Sequence, residues 1–173
     1  MKRSRGFTLV EIMIVVAIIA LLAAIAIPNV LRGRTSANEA ASVGNLRALV
    51  SSVEMYRSVS NSYPDAWQAD MYTNANPDFG PPSFDQDLAA AQTVQGYDYV
   101  YTELPAACAE PDCTQYTITS TPVTAFRTGT RAFFVDEAGT IRHCTVAATG
   151  DLASGTCPTI DQAPVLCNAA PCV

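Results

Sequence analysis

One apolar stretch decides how this chain must fold: residues 12–27 read IMIVVAIIALLAAIAI. Flanking apolar residues extend it from Phe7 to Leu31, and Glu11 is the only charged side chain in that span. Its 25 residues are enough for an α-helix to cross the roughly 30 Å hydrocarbon core of a bilayer. Cations precede the stretch, a distribution that places the N-terminus in the cytoplasm. They are Lys2, Arg3 and Arg5.

The composition fits one domain with an appendage and excludes several classes of protein. The chain has 173 residues, and a single domain usually contains roughly 100–200. Hydrophobic residues make up 49% and charged residues only 15%, the opposite of the balance that produces disorder. The formal net charge is -6 and Lys2 is the only lysine, so nucleic acid is not an expected partner.

Glu11 separates three interpretations of the apolar stretch. A secretory signal peptide has a shorter apolar core, typically about 7–15 residues, followed by a small-residue cleavage site. A plain membrane anchor is apolar throughout. Neither explains Glu11, because a carboxylate inside hydrocarbon costs about 2.5 kcal/mol or more and marks a functional position.

The residues around Glu11 resemble a processing signal. Residues 2–11 read KRSRGFTLVE, a short basic leader that ends in glycine and is followed by Phe-Thr-Leu-x-Glu. With the long apolar run, this resembles the class III signal of type IV prepilins and type II secretion pseudopilins. The resemblance covers roughly residues 2–60. It implies that the prepilin peptidase, an inner-membrane aspartic protease, cuts between Gly6 and Phe7, and that Phe7 is then N-methylated.

The same resemblance gives roles to Glu11 and Pro28. After cleavage Glu11 becomes the fifth mature residue, where the family carries its glutamate, and Pro28 becomes the twenty-second, where a helix-breaking proline is common. The resemblance implies that Glu11 neutralises the N-terminal amine of a neighbouring subunit, a partner that a buried carboxylate requires. Pro28 removes one backbone donor, so we expect a kink where the helix leaves the membrane, local melting in a filament, or both.

Beyond Pro28 the helical pattern resumes and becomes amphipathic. Apolar side chains recur at spacings of three and four, which predicts one helix face directed at a core. They are Val43, Leu46, Leu49, Val50, Val53 and Tyr56. From Phe7 to Ser58 the helix would span 52 residues and about 78 Å. One small domain cannot bury such a helix, so its N-terminal half must lie in lipid or among other subunits.

Four segments in the second half of the chain have the alternation and the composition of strands. They are residues 97–101, 116–121, 131–136 and 140–146. The segment Gly129–Arg142 also resembles a sheet hairpin common in pilin-like heads. These patterns predict an α+β pilin fold, in which a long N-terminal α-helix packs on a small antiparallel β-sheet of about four strands.

The patterns divide the chain into six segments. The loop between helix and sheet is rich in Pro, Asp, Asn and Ala, and we expect its Trp67 to be packed rather than ligand-binding. The segments are a cleaved leader (1–6), a hydrophobic transmembrane and assembly helix (7–31), an amphipathic half of the helix (32–60), the loop (61–96), an antiparallel sheet (97–146) and a C-terminal tail stapled by disulfides (147–173).

All six cysteines fall in the part of the chain placed outside the cytoplasm, where disulfides persist. Six cysteines allow fifteen pairings. The simplest is sequential, with two small loops of identical spacing: Cys108–Cys113, Cys144–Cys157 and Cys167–Cys172. The middle pair would tie the last strand to the tail, as the resemblance implies for the C-terminal loop. A zinc site is the weaker alternative, because no Cys-x-x-Cys pair is present and His143 is the only histidine.

The sequence contains no P-loop, no His-Glu-x-x-His and no dinucleotide fingerprint. We therefore expect a protein that is not an enzyme and that needs no cofactor. Calcium is an alternative that the acidic residues leave open, although their spacing does not match an EF-hand loop. These acids are Asp65, Asp70, Asp78, Asp85 and Asp87 in the loop, and Asp136 and Glu137 in the sheet.

The resemblance implies a pilin that polymerises through its hydrophobic helix into a type IV pilus-like extracellular filament for adhesion, motility or surface interaction. Its partners would be copies of itself, the prepilin peptidase and the inner-membrane assembly platform. Before assembly it would cross the inner membrane once, with its N-terminus in the cytoplasm and its apolar helix in the lipid bilayer.

Two alternatives to this pilin remain. One is a pseudopilin of a type II secretion system, which forms a periplasmic filament. The other is a minor or tip subunit whose head binds a ligand. The acidic head disfavours DNA as that ligand unless Arg127, Arg131 and Arg142 form a local basic patch.

Overall fold

The computed structural model describes residues 7–145. A single long helix, α1 (Leu9–Ser60), begins the described chain. The chain divides into two compact units, Met1–Arg34 and Thr35–Val173. The first unit contains the apolar part of α1, and the second contains its amphipathic part together with the loop and the sheet.

The sheet of the second unit has five antiparallel strands in sequence order. Each strand pairs with the next along the chain, which makes a meander with α1 packed on it. This arrangement confirms the predicted α+β class. The strands are β1 (Gln92–Val94), β2 (Tyr97–Leu104), β3 (Gln115–Pro122), β4 (Arg131–Asp136) and β5 (Arg142–Thr145).

The sheet has one strand more than the four that the sequence predicts. β1 pairs with β2 in the register of Gln92 with Tyr99, inside segment 61–96 that the sequence assigns to a loop. A strand of three residues carries too little alternation to be recognised. The two residues that follow it, Gln95 and Gly96, both have positive φ, the geometry of a tight two-residue hairpin turn.

The loop between α1 and β1 is irregular, as its composition suggests, but it contains two short helical turns. These are a π-helical turn at Ala69–Thr73 and a 3-10 turn at Pro82–Phe84.

The predicted apolar face of α1 lies against the core of the second unit. Leu46, Leu49 and Val53 are fully buried, and Tyr56 is nearly so. Full burial of such side chains contributes roughly 1.5–3 kcal/mol each, which fixes this part of the helix on the sheet.

Aromatic side chains supply much of the core. Trp67 is 2% exposed, and its ring centroid lies 5.0 Å from that of Tyr101 on β2. Its Nε1 donates a hydrogen bond to the Phe84 carbonyl at 3.1 Å, and the Tyr101 hydroxyl donates to the Pro64 carbonyl at 2.8 Å. Trp67 therefore anchors the loop to the sheet, which agrees with the expectation of a packed residue.

Candidate functional site

The first unit exposes nearly all of its apolar surface. Between Phe7 and Leu31 the large apolar side chains are 48–80% exposed. Within the described chain, α1 is the one helix long and apolar enough to cross a membrane. Monomeric soluble proteins rarely expose contiguous apolar patches larger than a few hundred Å². This surface is therefore suited to be covered by lipid or by other protein chains.

Thr8 and Glu11 cap the start of α1. The Glu11 N–H donates to Thr8 Oγ1 at 3.2 Å, and the Thr8 N–H and hydroxyl lie 3.4 Å from Glu11 Oε2. This reciprocal arrangement is a capping box, which satisfies donors at a helix start. The spacing Thr-x-x-Glu is its sequence signal, and it gives Glu11 a local role beyond the one expected from the resemblance. Gly6 lies outside the described residues, whereas Phe7 is described and exposed.

Pro28 lies inside α1, and the helix continues on both sides of it. Proline has no N–H, so the Ala24 carbonyl one turn earlier lacks its usual helical donor. Beside this position, Asn29 Nδ2 donates a hydrogen bond to the Ile25 carbonyl at 3.1 Å. The structure therefore shows a helix that has lost one hydrogen bond. Local melting at Pro28 in a filament stays a prediction.

Cys108 and Cys113 form a disulfide, which confirms the first predicted pairing. Their loop joins β2 to β3 and is fastened to the segment after α1. The Glu110 N–H donates to Asp65 Oδ2 at 3.2 Å, and the Tyr56 hydroxyl donates to the Glu110 carboxylate. The disulfide thus closes a loop that contacts both α1 and the chain beyond it.

Cys144 on β5 is also disulfide-bonded. The predicted pairings Cys144–Cys157 and Cys167–Cys172 involve residues outside the described part of the chain.

Glu39 is a buried carboxylate that the sequence pattern does not reveal. Its Oε1 accepts hydrogen bonds from the Thr130 N–H at 2.8 Å and hydroxyl at 2.6 Å. Its Oε2 accepts from Nε and Nη2 of Arg131 at 2.9 Å and 2.6 Å. Burial acts to raise the pKa of Glu39, but the bonds from Thr130 and Arg131 outweigh it and hold that pKa below its usual value. This clamp ties the start of β4 to α1.

Asp70, one of the acidic residues of the loop, holds the loop itself together. Asp70 Oδ2 accepts hydrogen bonds from the backbone N–H groups of Asp65 and Ala66 at 3.1 Å and 2.9 Å. Burial raises the pKa of Asp70, and the nearby charges of Asp65 and Glu110 raise it further. Among residues 7–145 no three His, Cys, Asp or Glu side chains, His143 included, come together in a group that could hold a metal ion.

The three arginines considered for a basic patch have different surroundings. Arg131 is held by Glu39, and Arg142 lies 3.8 Å from the Asp136 carboxylate. Arg127 is exposed on the loop between β3 and β4, and no ion pair within residues 7–145 involves it. Two of the three positive charges are therefore already neutralised by neighbouring carboxylates.

Comparison with known proteins identifies the N-terminal segment. Residues 1–27 match the family model of the prokaryotic N-terminal methylation motif. The segment contains the basic leader, Glu11 and most of the apolar helix, so it coincides with the surface that the first unit exposes.

Relatives of two kinds match part of this chain. The major component of the wide type IV pilus of Thermus thermophilus is 48% identical over 63 residues, which cover 36% of this chain and 48% of the relative. The major type IV pilin of Myxococcus xanthus is 46% identical over 63 residues, covering 36% and 29%. Core protein G of the type II secretion system of Dickeya chrysanthemi is 37% identical over 67 residues, covering 39% and 44%.

These matches span less than half of each relative's length. No solved structure matches the chain. The chain therefore carries the prokaryotic N-terminal methylation motif, and its homologues in this region are type IV pilins and core G proteins of type II secretion systems.

Proposed function

We propose that this chain is a pilin, a structural subunit that polymerises through its N-terminal helix into a type IV pilus-like extracellular filament. One observation carries the proposal: the methylation motif at residues 1–27 continues into a helix whose apolar side chains are exposed. A filament core built from such helices gives this surface a partner after it leaves the membrane. The role is structural, so the chain does no chemistry of its own.

Processing comes first in this proposal. The prepilin peptidase cuts between Gly6 and Phe7, and the new N-terminal Phe7 is methylated. The cut lies on the cytoplasmic side of the apolar segment, so the mature subunit stays in the inner membrane until the assembly platform extracts it. A secretory signal peptide would be lost in full, whereas this cut removes only residues 1–6.

Assembly then depends on Glu11. In the single chain its carboxylate has only long hydrogen bonds to Thr8, at 3.4 Å. A free amine at Phe7 of a neighbouring copy is a stronger partner for a carboxylate surrounded by apolar helices. Because the pair forms at one stagger of the helices, it would also set the register of the filament.

A pseudopilin is the second candidate, and it has an observation in its favour. Core G proteins of type II secretion systems match this chain at 34–38% identity, against 46–48% for the two type IV pilins. A pseudopilin would form a short periplasmic filament by the same processing and the same helix packing.

The two candidates differ in where the filament is found. We expect filaments sheared from the surface of cells that make this protein to be long and to contain this chain as their main subunit, as identified by mass spectrometry. A strain with the gene deleted is the control. Processed chain confined to the periplasm, with surface filaments unaffected by the deletion, would favour the pseudopilin.

A further inference from the structure

The loop that joins β3 to β4, residues 123–129, is closed by its own backbone hydrogen bonds and fastened to α1. The Phe126 N–H donates to the Gly129 carbonyl at 2.8 Å, and the Thr128 N–H donates to the Thr124 carbonyl at 2.9 Å. Asn38 Nδ2 on α1 donates to the Thr128 carbonyl at 3.0 Å. These bonds hold the loop, called here the tip loop, against α1.

The tip loop exposes apolar side chains next to a free cation. Val123 is 46% exposed and Phe126 is 53% exposed. Phe126 has a φ of 61°, a left-handed conformation that is unusual for a bulky side chain. The guanidinium of Arg127 is exposed and has no ion pair within residues 7–145.

A depression lined by negatively charged residues lies in the second unit, which also contains the tip loop. It has a volume of about 380 Å³ and is lined by the carboxylate residues Asp65, Asp87 and Glu103. Trp67 and Tyr101 also line it, and no lysine, arginine or histidine does. An arginine side chain fits this chemistry, because carboxylates accept its N–H groups.

The tip loop and the acidic depression lie at different levels of the second unit. The loop is fastened to α1 at Asn38, whereas the depression begins with Asp65, just beyond the end of α1 at Ser60. Along the helix axis, 22 residues correspond to about 33 Å. In the proposed filament, whose subunits point the same way, two complementary sites at different levels make a heterologous contact that repeats from copy to copy along an open helix.

We propose that the tip loop of one copy docks in the acidic depression of another, with Arg127 among the carboxylates and Phe126 packed beside it. This inference rests on the proposed filament and adds a contact between heads to it. Copies of an acidic chain, with a formal net charge of -6, repel one another. A contact that places an unpaired cation against three carboxylates offsets part of that repulsion and fixes which faces meet.

Charge reversal tests the contact in the full chain, expressed in cells that make the filament. The variants are Arg127→Glu, the double variant Asp87→Lys with Glu103→Lys, and the triple combination of all three. Arg47→Glu is the matched control, because Arg47 is an exposed arginine outside both sites. Thermal unfolding of each full chain in detergent checks that the variants fold.

We expect Arg127→Glu and the double variant each to lower the yield of sheared filaments at least about tenfold, the factor expected for one favourable interfacial charge pair. In the triple variant opposite charges again face each other, so it should recover most of the filament yield. The yield of Arg47→Glu should stay near that of the unaltered chain. Filaments formed equally well by Arg127→Glu and Arg47→Glu would overturn the contact and leave the filament proposal intact. No filaments from the unaltered chain would overturn both.

A photoreactive phenylalanine analogue at position 126 supplies a readout that does not depend on yield. We expect it to cross-link, within filaments, to a peptide of a second copy that contains Asp87 or Glu103. The same analogue at exposed Ala89 serves as a check from the other side, and should cross-link to the tip loop. Cross-links from position 126 to phospholipid or to a different protein instead of a second copy would overturn the proposal.

Discussion

Glu11 has two roles, one within the single chain and one proposed for the filament. In the single chain it completes the capping box with Thr8, and in a filament it would neutralise the amine of a neighbouring Phe7. A cap contributes about 1 kcal/mol to helix stability. An uncompensated carboxylate among apolar helices costs more than that, so the partner in the neighbouring copy dominates.

Replacing Glu11 separates these two roles. We expect Glu11→Ala and Glu11→Leu to enter the membrane but to lower filament yield at least about tenfold, because the register-setting pair is lost. Membrane fractionation and sheared-filament yield measure the two effects. Glu137→Ala, which removes an exposed acid of the head, is the control. Thr8→Ala removes the cap alone and should leave most of the yield. Equal losses for Thr8→Ala and Glu11→Ala would show that capping, and not pairing, is what matters.

Glu39 is the second carboxylate with a structural role, and it joins α1 to the start of β4 in the second unit. The Arg131 side chain is 44% exposed, so the ion pair itself adds little and the buried hydrogen bonds carry the effect. We expect Glu39→Gln to lower the free energy of unfolding by about 2 kcal/mol at neutral pH, a value typical of hydrogen bonds to a charged group. Urea unfolding of the full chain in detergent, with Glu137→Ala as control, measures it.

The effect of Glu39 should also depend on pH. Because its folded pKa is lowered, the carboxylate stabilises the fold above the ordinary value of 4.5, and the contribution is lost as pH falls through the lower folded value. The difference between the unaltered chain and Glu39→Gln should therefore shrink as the pH is lowered below about 4.5. A difference that stays constant down to pH values near 3 would contradict the lowered pKa of Glu39.

The packing of α1 on the sheet includes one buried polar pair. The Ser42 and Ser120 hydroxyls lie 2.6 Å apart, and both residues are almost completely buried. We expect Ser42→Ala to cost about 1–3 kcal/mol of unfolding free energy, because it leaves the Ser120 hydroxyl without its partner. The double variant Ser42→Ala with Ser120→Ala should cost less than the single one. A double variant that costs the sum of the two single ones would show that the hydroxyls act independently.

The loop closed by Cys108–Cys113 is a second element with a measurable contribution. For a sequence separation of 5, loop-closure entropy gives about 2 kcal/mol. We expect the double variant Cys108→Ala with Cys113→Ala to lose about that much unfolding free energy at unchanged pH. The Tyr56 hydroxyl contact to Glu110 should weaken with it. Tyr56→Phe in the disulfide-bonded chain separates the two effects, and an unchanged stability without the disulfide would contradict the assigned role.

Periodicity and turn chemistry predict the long helix, its core-facing stripe and four of the five strands. The local signals are strong there, since Leu46, Leu49 and Val53 repeat at helical spacing and the strands alternate. The three residues of β1 offer no such repeat. The contact between Glu39 and Arg131 joins residues 92 apart and that between Ser42 and Ser120 joins residues 78 apart. Such pairs depend on how the sheet lies against the helix, which local patterns do not specify.

The functional residues also divide into those that local sequence patterns reveal and those that only the fold reveals. Glu11 is recognisable because a charge inside an apolar run is rare, and Thr8 because its spacing to Glu11 signals a cap. The acidic depression forms only through the fold, since Asp65, Asp87 and Glu103 are spread over 39 positions of the sequence.

Among the described residues, the exposed apolar surface is concentrated in the first unit, and all acidic residues except Glu11 lie in the second. The first unit presents apolar side chains almost everywhere, whereas the second buries its aromatic core and keeps most acids at the surface. Removal of Lys2, Arg3 and Arg5 would leave seven cations against sixteen acids, a side-chain net charge of -9. The mature subunit would then associate through its apolar helix against a general repulsion between heads.

The residue at the start of the mature chain tests this account most directly. Mass spectrometry of the chain recovered from sheared surface filaments should find N-methylated Phe7 as its first residue, with the apolar segment to Leu31 intact. A chain that still begins at Met1, or one cut after the apolar segment as a secreted protein is, would contradict processing and assembly through the N-terminal helix.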